Sequence, residues 1–152
     1  MARIKKILFP VDLSEVSSKI APWVLVTAEK FDAEIHLLFV ARSLEHLSTV
    51  YVPFVSIEQF ENEIIKGAET KIQEFADTFL KGHARLKTDV VLGDAAEEIL
   101  RYVDREKIDL VIIGTHGRKG LEKILFGSVA ERVIKMAPVP VMSINPYRIN
   151  AS

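Results

Sequence analysis

One spacing in this chain points to chemistry. It reads Gly114-Thr115-His116-Gly117, then nine residues, then Gly127-Ser128. The first pair of glycines closes an apolar run of β-formers, Leu110 to Ile113, and the last opens a helical pattern from Val129 to Met136. Strand, glycine turn and helix N-terminus are the parts with which many α/β proteins hold a phosphate. Glycine lets the backbone approach the anion, and the free N–H groups of a helix end point at it. No Gly-x-x-x-x-Gly-Lys-[Ser/Thr] occurs, so this is not a P-loop, and no Gly-x-Gly-x-x-Gly occurs either.

Each candidate also has a plainer use. Ser128 begins Ser-x-x-Glu131, a capping box, so its hydroxyl either caps a helix, worth about 1 kcal/mol, or meets a phosphate. Asp12 follows an apolar run and is either a helix-flanking acid or a ligand group. His116 lies inside the glycine loop, as a phosphate contact or a solvated side chain. His36, His46 and His83 have no ligand spacing, and no metal site is expected from them. Cysteine is absent, which excludes thiolate metal sites, disulfides and a cysteine nucleophile.

These residues must be positioned by alternating strands and helices. Strands are expected at about Lys6–Val11, Glu34–Val40, Leu86–Leu92, Leu110–Ile113 and Val139–Ile144. The fourth run is continuously apolar, as in a strand buried on both faces. Helices are expected from Ser14 to Phe31, Ile57 to Leu80, Asp94 to Glu106 and Ser128 to Ala137. Pro22 should kink or split the first, since it removes an internal hydrogen bond. Asp94-x-x-Glu97 reads as a structural capping box, and Trp23 and Phe31 read as core residues. The alternation predicts a parallel sheet between two helical layers, an α/β/α fold. Ligands of such sheets sit beyond the C-terminal strand ends, where Asp12, Val40 and Gly114 all fall. Pro138 and Pro140 flank Val139 and point to an edge strand. Residues 41–56 form a long apolar connection, either packed over the sheet, a lid, or a partner surface.

With 152 residues, a single domain over 1–152 is the expectation. Lys plus Arg total 20 and Asp plus Glu 21, so no basic field invites nucleic acid or an anionic membrane surface. The first apolar run is cut at Pro10 and followed by Asp12, too short for a signal peptide, and no run suffices for a membrane span. A cytoplasmic protein is expected.

The combined pattern resembles the universal stress protein family. Gly114-x-x-Gly117-x9-Gly127-Ser128 is similar to its ATP-binding signature, and Ile7-Leu8-Phe9-Pro10-Val11-Asp12-x-Ser14 to its first strand and turn. His36 to Val40, Val91 to Asp94, Asp109 to Gly114, and Val139 to Val141 complete the match. The resemblance implies a Rossmann-like fold with a five-stranded parallel sheet, and a homodimer through the last strand, Val139 to Ile144. It implies bound ATP, with Mg or Mn. Pro10, Val11 and Asp12 would then line the site, with Asp12 near the ribose or a phosphate-bound metal ion. Val40 would meet adenine. Gly114 and Gly117 would pass under the ribose and phosphates, and Gly127, Ser128 and Val129 would bring N–H groups to the phosphates. Arg118, Lys119 and Lys123 are the available cations, and the resemblance singles out none of them.

No catalytic residue stands out. Phosphoryl transfer needs a positioned nucleophile, a metal constellation and aimed cations, and only Asp12 is a well-placed acid. A nucleotide-dependent stress-response module is therefore the leading expectation. A slow ATPase or nucleotide-transfer enzyme, and an interaction protein with a vestigial site, are the alternatives.

Overall fold

The computed structural model describes residues 2–42, 57–117 and 121–149, with the side chains of 121–126 outside the description. The chain alternates β1 (Lys6–Val11), α1 (Glu15–Phe31), β2 (Glu34–Ala41), α2 (Ile57–Phe79), β3 (Leu86–Leu92), α3 (Ala95–Glu106), β4 (Leu110–Gly114), α4 (Leu121–Met136) and β5 (Val141–Ile144). All four strand pairings are parallel, in the order β3-β2-β1-β4-β5.

Strand periodicity sorts the side chains into two cores. Ile7, Phe9, Ile35, Leu37 and Ile112 face α1 and α2, where they meet Ile20, Val24, Ile72 and Phe75. Leu8, Leu38, Val111 and Ile113 face α3 and α4, against Ile99, Val103, Ala130 and Val133. Burial on both faces explains the unbroken apolar run of β4, every residue of which is buried. Phe9 and Phe75 meet edge-on at 6.1 Å across the first core, a favoured aromatic geometry.

The helix ends are set by their caps. Ser14 Oγ accepts from Val16 N, and Asp94 Oδ2 accepts from Glu97 N at 3.0 Å. Asp94 therefore caps α3 as expected, while Glu97 turns to Arg101, 2.7 Å away. Asp32 and Lys107 end α1 and α3 in the left-handed conformation (φ 54° and 58°), each returning its N–H to the last turn.

Four expectations need correction. First, α4 starts at Leu121, not Ser128, so Gly127 and Ser128 lie within the helix. Second, β5 spans Val141–Ile144; Pro140 stays outside it, its carbonyl accepting from Val111 N at 3.1 Å. Third, Trp23 and Phe31 are 43% and 46% exposed. The buried face of α1 is Val16, Ile20, Ala21, Val24 and Ala28; Trp23 falls beside it, and Phe31 lies in line with it but at the very end of the helix. Fourth, α1 is not split at Pro22; burial of that face on both sides of the proline carries the helix through. The connection 43–56, with His46, lies outside the described residues.

The sheet has two unlike edges. β5 and the end of α4 expose Met142, Ile134 and Met136. β3 carries charge instead: Lys87 lies 3.2 Å from Glu106 and 3.8 Å from Asp89.

Candidate functional site

The strand order reverses between β1 and β4, because β1 leads to α1 on one face and β4 to α4 on the other. Such a reversal leaves a crevice at the C-terminal strand ends. Here the hydrogen-bonded ladder also stops early. β1 pairs with β2 from Lys6 to Val11, but with β4 only at Ile7 and Leu8. Pro10 gives a local reason. Lys5 O accepts from Glu34 N on the β2 side and Lys6 O from Asp109 N on the β4 side. Alternation along the strand turns the Pro10 nitrogen toward β4, where it has no hydrogen to donate. The proline therefore removes one ladder bond to β4, and the pairing stops beside it.

Asp12 stands at one lip of the crevice. Its Oδ1 accepts from Ser14 N at 2.9 Å, Ser14 Oγ at 2.6 Å and Ser17 Oγ at 2.8 Å. Ser17 Oγ in turn accepts from Asp12 N at 3.2 Å. One carboxylate oxygen thus builds the turn into α1, where Leu13 adopts φ 62°. The other, Oδ2, takes no hydrogen bond among the described residues, so Asp12 can serve turn and ligand with different atoms.

The glycine loop forms the other lip. Thr115 N donates to Ile144 O at 2.9 Å, tying the loop to the end of β5. A Cβ on Gly114 would lie 2.5 Å from Ile20 Cδ1, so glycine there leaves room for the tip of Ile20 from α1. A Cβ on Gly127 would lie 3.1 Å from Thr115 O, so glycine there lets α4 approach the loop backbone. These two glycines therefore have packing reasons of their own, and Gly127 also joins α4 to the loop it follows. Val40 sits at the end of β2, half-buried against the α3/α4 core.

Of the expected site residues, Asp12, Gly114 and Gly117 converge on the β1/β4 crevice, with Gly127 packed behind them. The N–H groups of Gly127, Ser128 and Val129 are engaged inside α4, as in any helix beyond its first turn. Arg118 and Lys119 lie outside the described residues, as does the Lys123 side chain. Among the described residues, no group of three His, Cys, Asp or Glu side chains could hold a metal ion.

Two further contacts carry no mark in the sequence, one at the crevice and one away from it. His36 is buried in β2, with Nδ1 2.9 Å from the Tyr102 hydroxyl. Tyr147, beyond β5, stacks edge-on against His116 at 5.3 Å. The partners of both are distant in sequence, so no local signal marks them.

Fold and crevice define a doubly wound α/β protein with a crevice at the reversal of strand order. The universal stress protein family model matches residues 3–145, and the chain belongs to that family. It is 36% identical over 142 residues to universal stress protein MJ0531 of Methanocaldococcus jannaschii, covering 91% of this chain and 80% of that one. It is 31% identical over 150 residues to MJ0577 of the same organism, covering 91% and 93%. The solved structure of MJ0577 superposes with a TM-score of 0.79 at 30% identity, over 99% of this chain and 100% of that one. More distant structures share the fold. One is the universal stress protein from Archaeoglobus fulgidus in complex with dAMP (18% identity, TM-score 0.56, 95% and 100% covered). Another is a family protein from Arabidopsis thaliana with AMP bound (21%, 0.54, 97% and 93%).

Proposed function

We propose that the β1/β4 crevice binds an adenine nucleotide, ATP with Mg or Mn, and that the protein is a nucleotide-dependent stress-response module acting as a cytoplasmic homodimer through β5. The observation that carries this reading is the meeting of Asp12 and the Gly114–Gly117 loop at the ends of β1 and β4, where the strand order reverses. The AMP and dAMP complexes of distant family members support the choice of adenine nucleotides. No helix among the described residues is long and apolar enough to cross a membrane.

The residues fit such a ligand in part. Asp12 Oδ2 is placed to take a ribose hydroxyl or one coordination position of a phosphate-bound metal ion. Val40 offers an apolar contact for the base beside Pro10, while Val11 is turned into the α1/α2 core. Gly114 and Gly117 keep side chains out of the path of the ribose. For Gly127, Ser128 and Val129 to give N–H groups to the phosphates, α4 must unwind back to Gly127. Glycine inside a helix lowers the cost of that opening by about 1 kcal/mol relative to alanine. ATP itself supplies the phosphate charge; Asp12 and the backbone orient it, and no catalytic residue is assigned.

The test is mass spectrometry of the supernatant from freshly purified, denatured protein, with calorimetric titration of ATP and magnesium. Co-purified or tightly titrating ATP is expected, with affinity reduced at least about tenfold in Gly127→Ala, whose methyl group pushes α4 off Thr115. A folded protein that neither retains nor binds ATP refutes the reading.

A further inference from the structure

We propose that Tyr147, on the segment after β5, is a positioning residue that clamps the glycine loop and thereby sets nucleotide affinity; the affinity half of this rests on the nucleotide reading above. Three contacts from two other parts of the chain meet on this one side chain. Its ring stands edge-on to His116 at 5.3 Å, with an interplanar angle of 75°. Its hydroxyl reaches the Gly117 carbonyl in a long hydrogen bond of 3.4 Å. The Lys19 ammonium of α1 lies 5.5 Å from the ring centroid, within range of a cation–π attraction.

The clamp is itself anchored. Tyr147 N donates to Asn145 Oδ1 at 3.0 Å and Arg148 N to Asn145 O at 3.2 Å, which closes the turn that aims the ring. Ile144 before this turn is buried, and Ile149 after it packs on the α1/α2 core. The loop side is held too, with Thr115 Oγ1 2.8 Å from His116 Nδ1. Tyr147 thus ties the His116–Gly117 limb to α1, across the same lip of the crevice that Gly114 begins. A glycine-bearing loop has many conformations to lose, so a group that holds it before ligand arrives lowers the ordering cost of binding.

The experiment compares wild type, Tyr147→Phe and Tyr147→Ala by calorimetry with magnesium-ATP. It also follows hydrogen exchange of peptides covering residues 114–117 in nucleotide-free protein. Tyr147 is 38% exposed, so both variants should fold, which thermal melting verifies. Tyr147→Ala is expected to speed exchange across the loop and weaken ATP about tenfold, the scale of one lost ring contact plus ordering cost. Tyr147→Phe, which keeps the ring, is expected to restore most of both. Unchanged loop exchange in Tyr147→Ala overturns the clamp, whether or not the protein binds nucleotide. Faster exchange with unchanged ATP affinity overturns its part in binding. A wild type that ignores ATP refutes the nucleotide reading instead, and the exchange comparison still decides the clamp.

Discussion

The Tyr102 hydroxyl bridges His36 and Asp89: it lies 2.9 Å from His36 Nδ1 and donates to Asp89 Oδ2 at 2.6 Å. A phenol has one hydrogen to give, and Asp89 takes it, so the His36 Nδ1–H must be the donor to the phenolic oxygen. On the other side of the imidazole, Nε2 lies against Glu34 Oε1 but is not aligned for a hydrogen bond. A polar chain from Glu34 to Asp89 thus runs through the α3/α4 core at the end of the sheet opposite the crevice.

Burial, chiefly, and then the hydrogen bond and negative charge of Asp89 push the Tyr102 phenol above its ordinary value of 10.0. The protonated form is favoured in the folded state, so the stability this confers is fully present below about pH 10 and lost as pH rises beyond it. Replacing Tyr102 by Phe should cost about 1–3 kcal/mol at pH 7, because His36 Nδ1–H is left buried without a partner. Between pH 9 and 11, urea unfolding of the wild type should fall more steeply than that of Tyr102→Phe. Parallel curves would show that the phenol is not titrating against the fold.

Gly114 and Ile20 should be energetically coupled. Gly114→Ala alone overpacks the contact with Ile20 Cδ1 and should cost about 1–3 kcal/mol. Ile20→Val alone removes that methyl group and should cost about 0.5–1.5 kcal/mol. In the double variant the new methyl group occupies the space of the old one, so its loss should fall short of the sum of the two single losses by at least about 0.5 kcal/mol. Additive losses in denaturant unfolding would mean that the tip of Ile20 is not what Gly114 makes room for.

The two oxygens of Asp12 can be separated by substitution. Asp12→Ala removes the acceptor for Ser14 and Ser17, and with Ser17 buried the loss should be about 1–3 kcal/mol of folding stability. Asp12→Asn keeps an oxygen for the turn and should cost less than about 1 kcal/mol by the same measure. Both should weaken magnesium-ATP binding, and Asp12→Asn should weaken it more than it weakens ATP in chelator. Equal loss with and without metal would place the ion away from Asp12.

Sedimentation velocity tests the β5 edge. Met142 is 38% exposed in the edge strand and Met136 67% exposed beside it, so Met142→Glu would bury a charge against its own copy in a symmetric pair. The wild type should sediment as a dimer and the variant as a monomer with an unchanged circular dichroism spectrum. A variant that remains dimeric locates the interface elsewhere.

Strand runs and caps were legible because their causes are local. Leu110 to Ile113 needs only its own apolar side chains to announce a central strand, and Asp94 caps the helix directly after it. The start of α4 was misplaced because Gly127-Ser128-x-x-Glu131 carries every local mark of a helix entry. The glycine is there instead to pass Thr115. Trp23 reads as core by its size alone, although it lies off the stripe of Val16, Ile20, Val24 and Ala28 that faces the sheet. Pro10 reads as an oddity until the ladder it interrupts is known. Tyr147 acts on Gly117, 30 residues away, and Tyr102 on His36, 66 residues away, and no window along the chain holds both ends of such a contact.

The unlike edges of the sheet bear on how far self-association can run. Lys87 and Asp89 line β3, and charge on an edge strand discourages any incoming strand. Copies that join at β5 would therefore turn only their charged margins outward. Growth would stop at two, and the sheet would have no free end from which a fibre could extend.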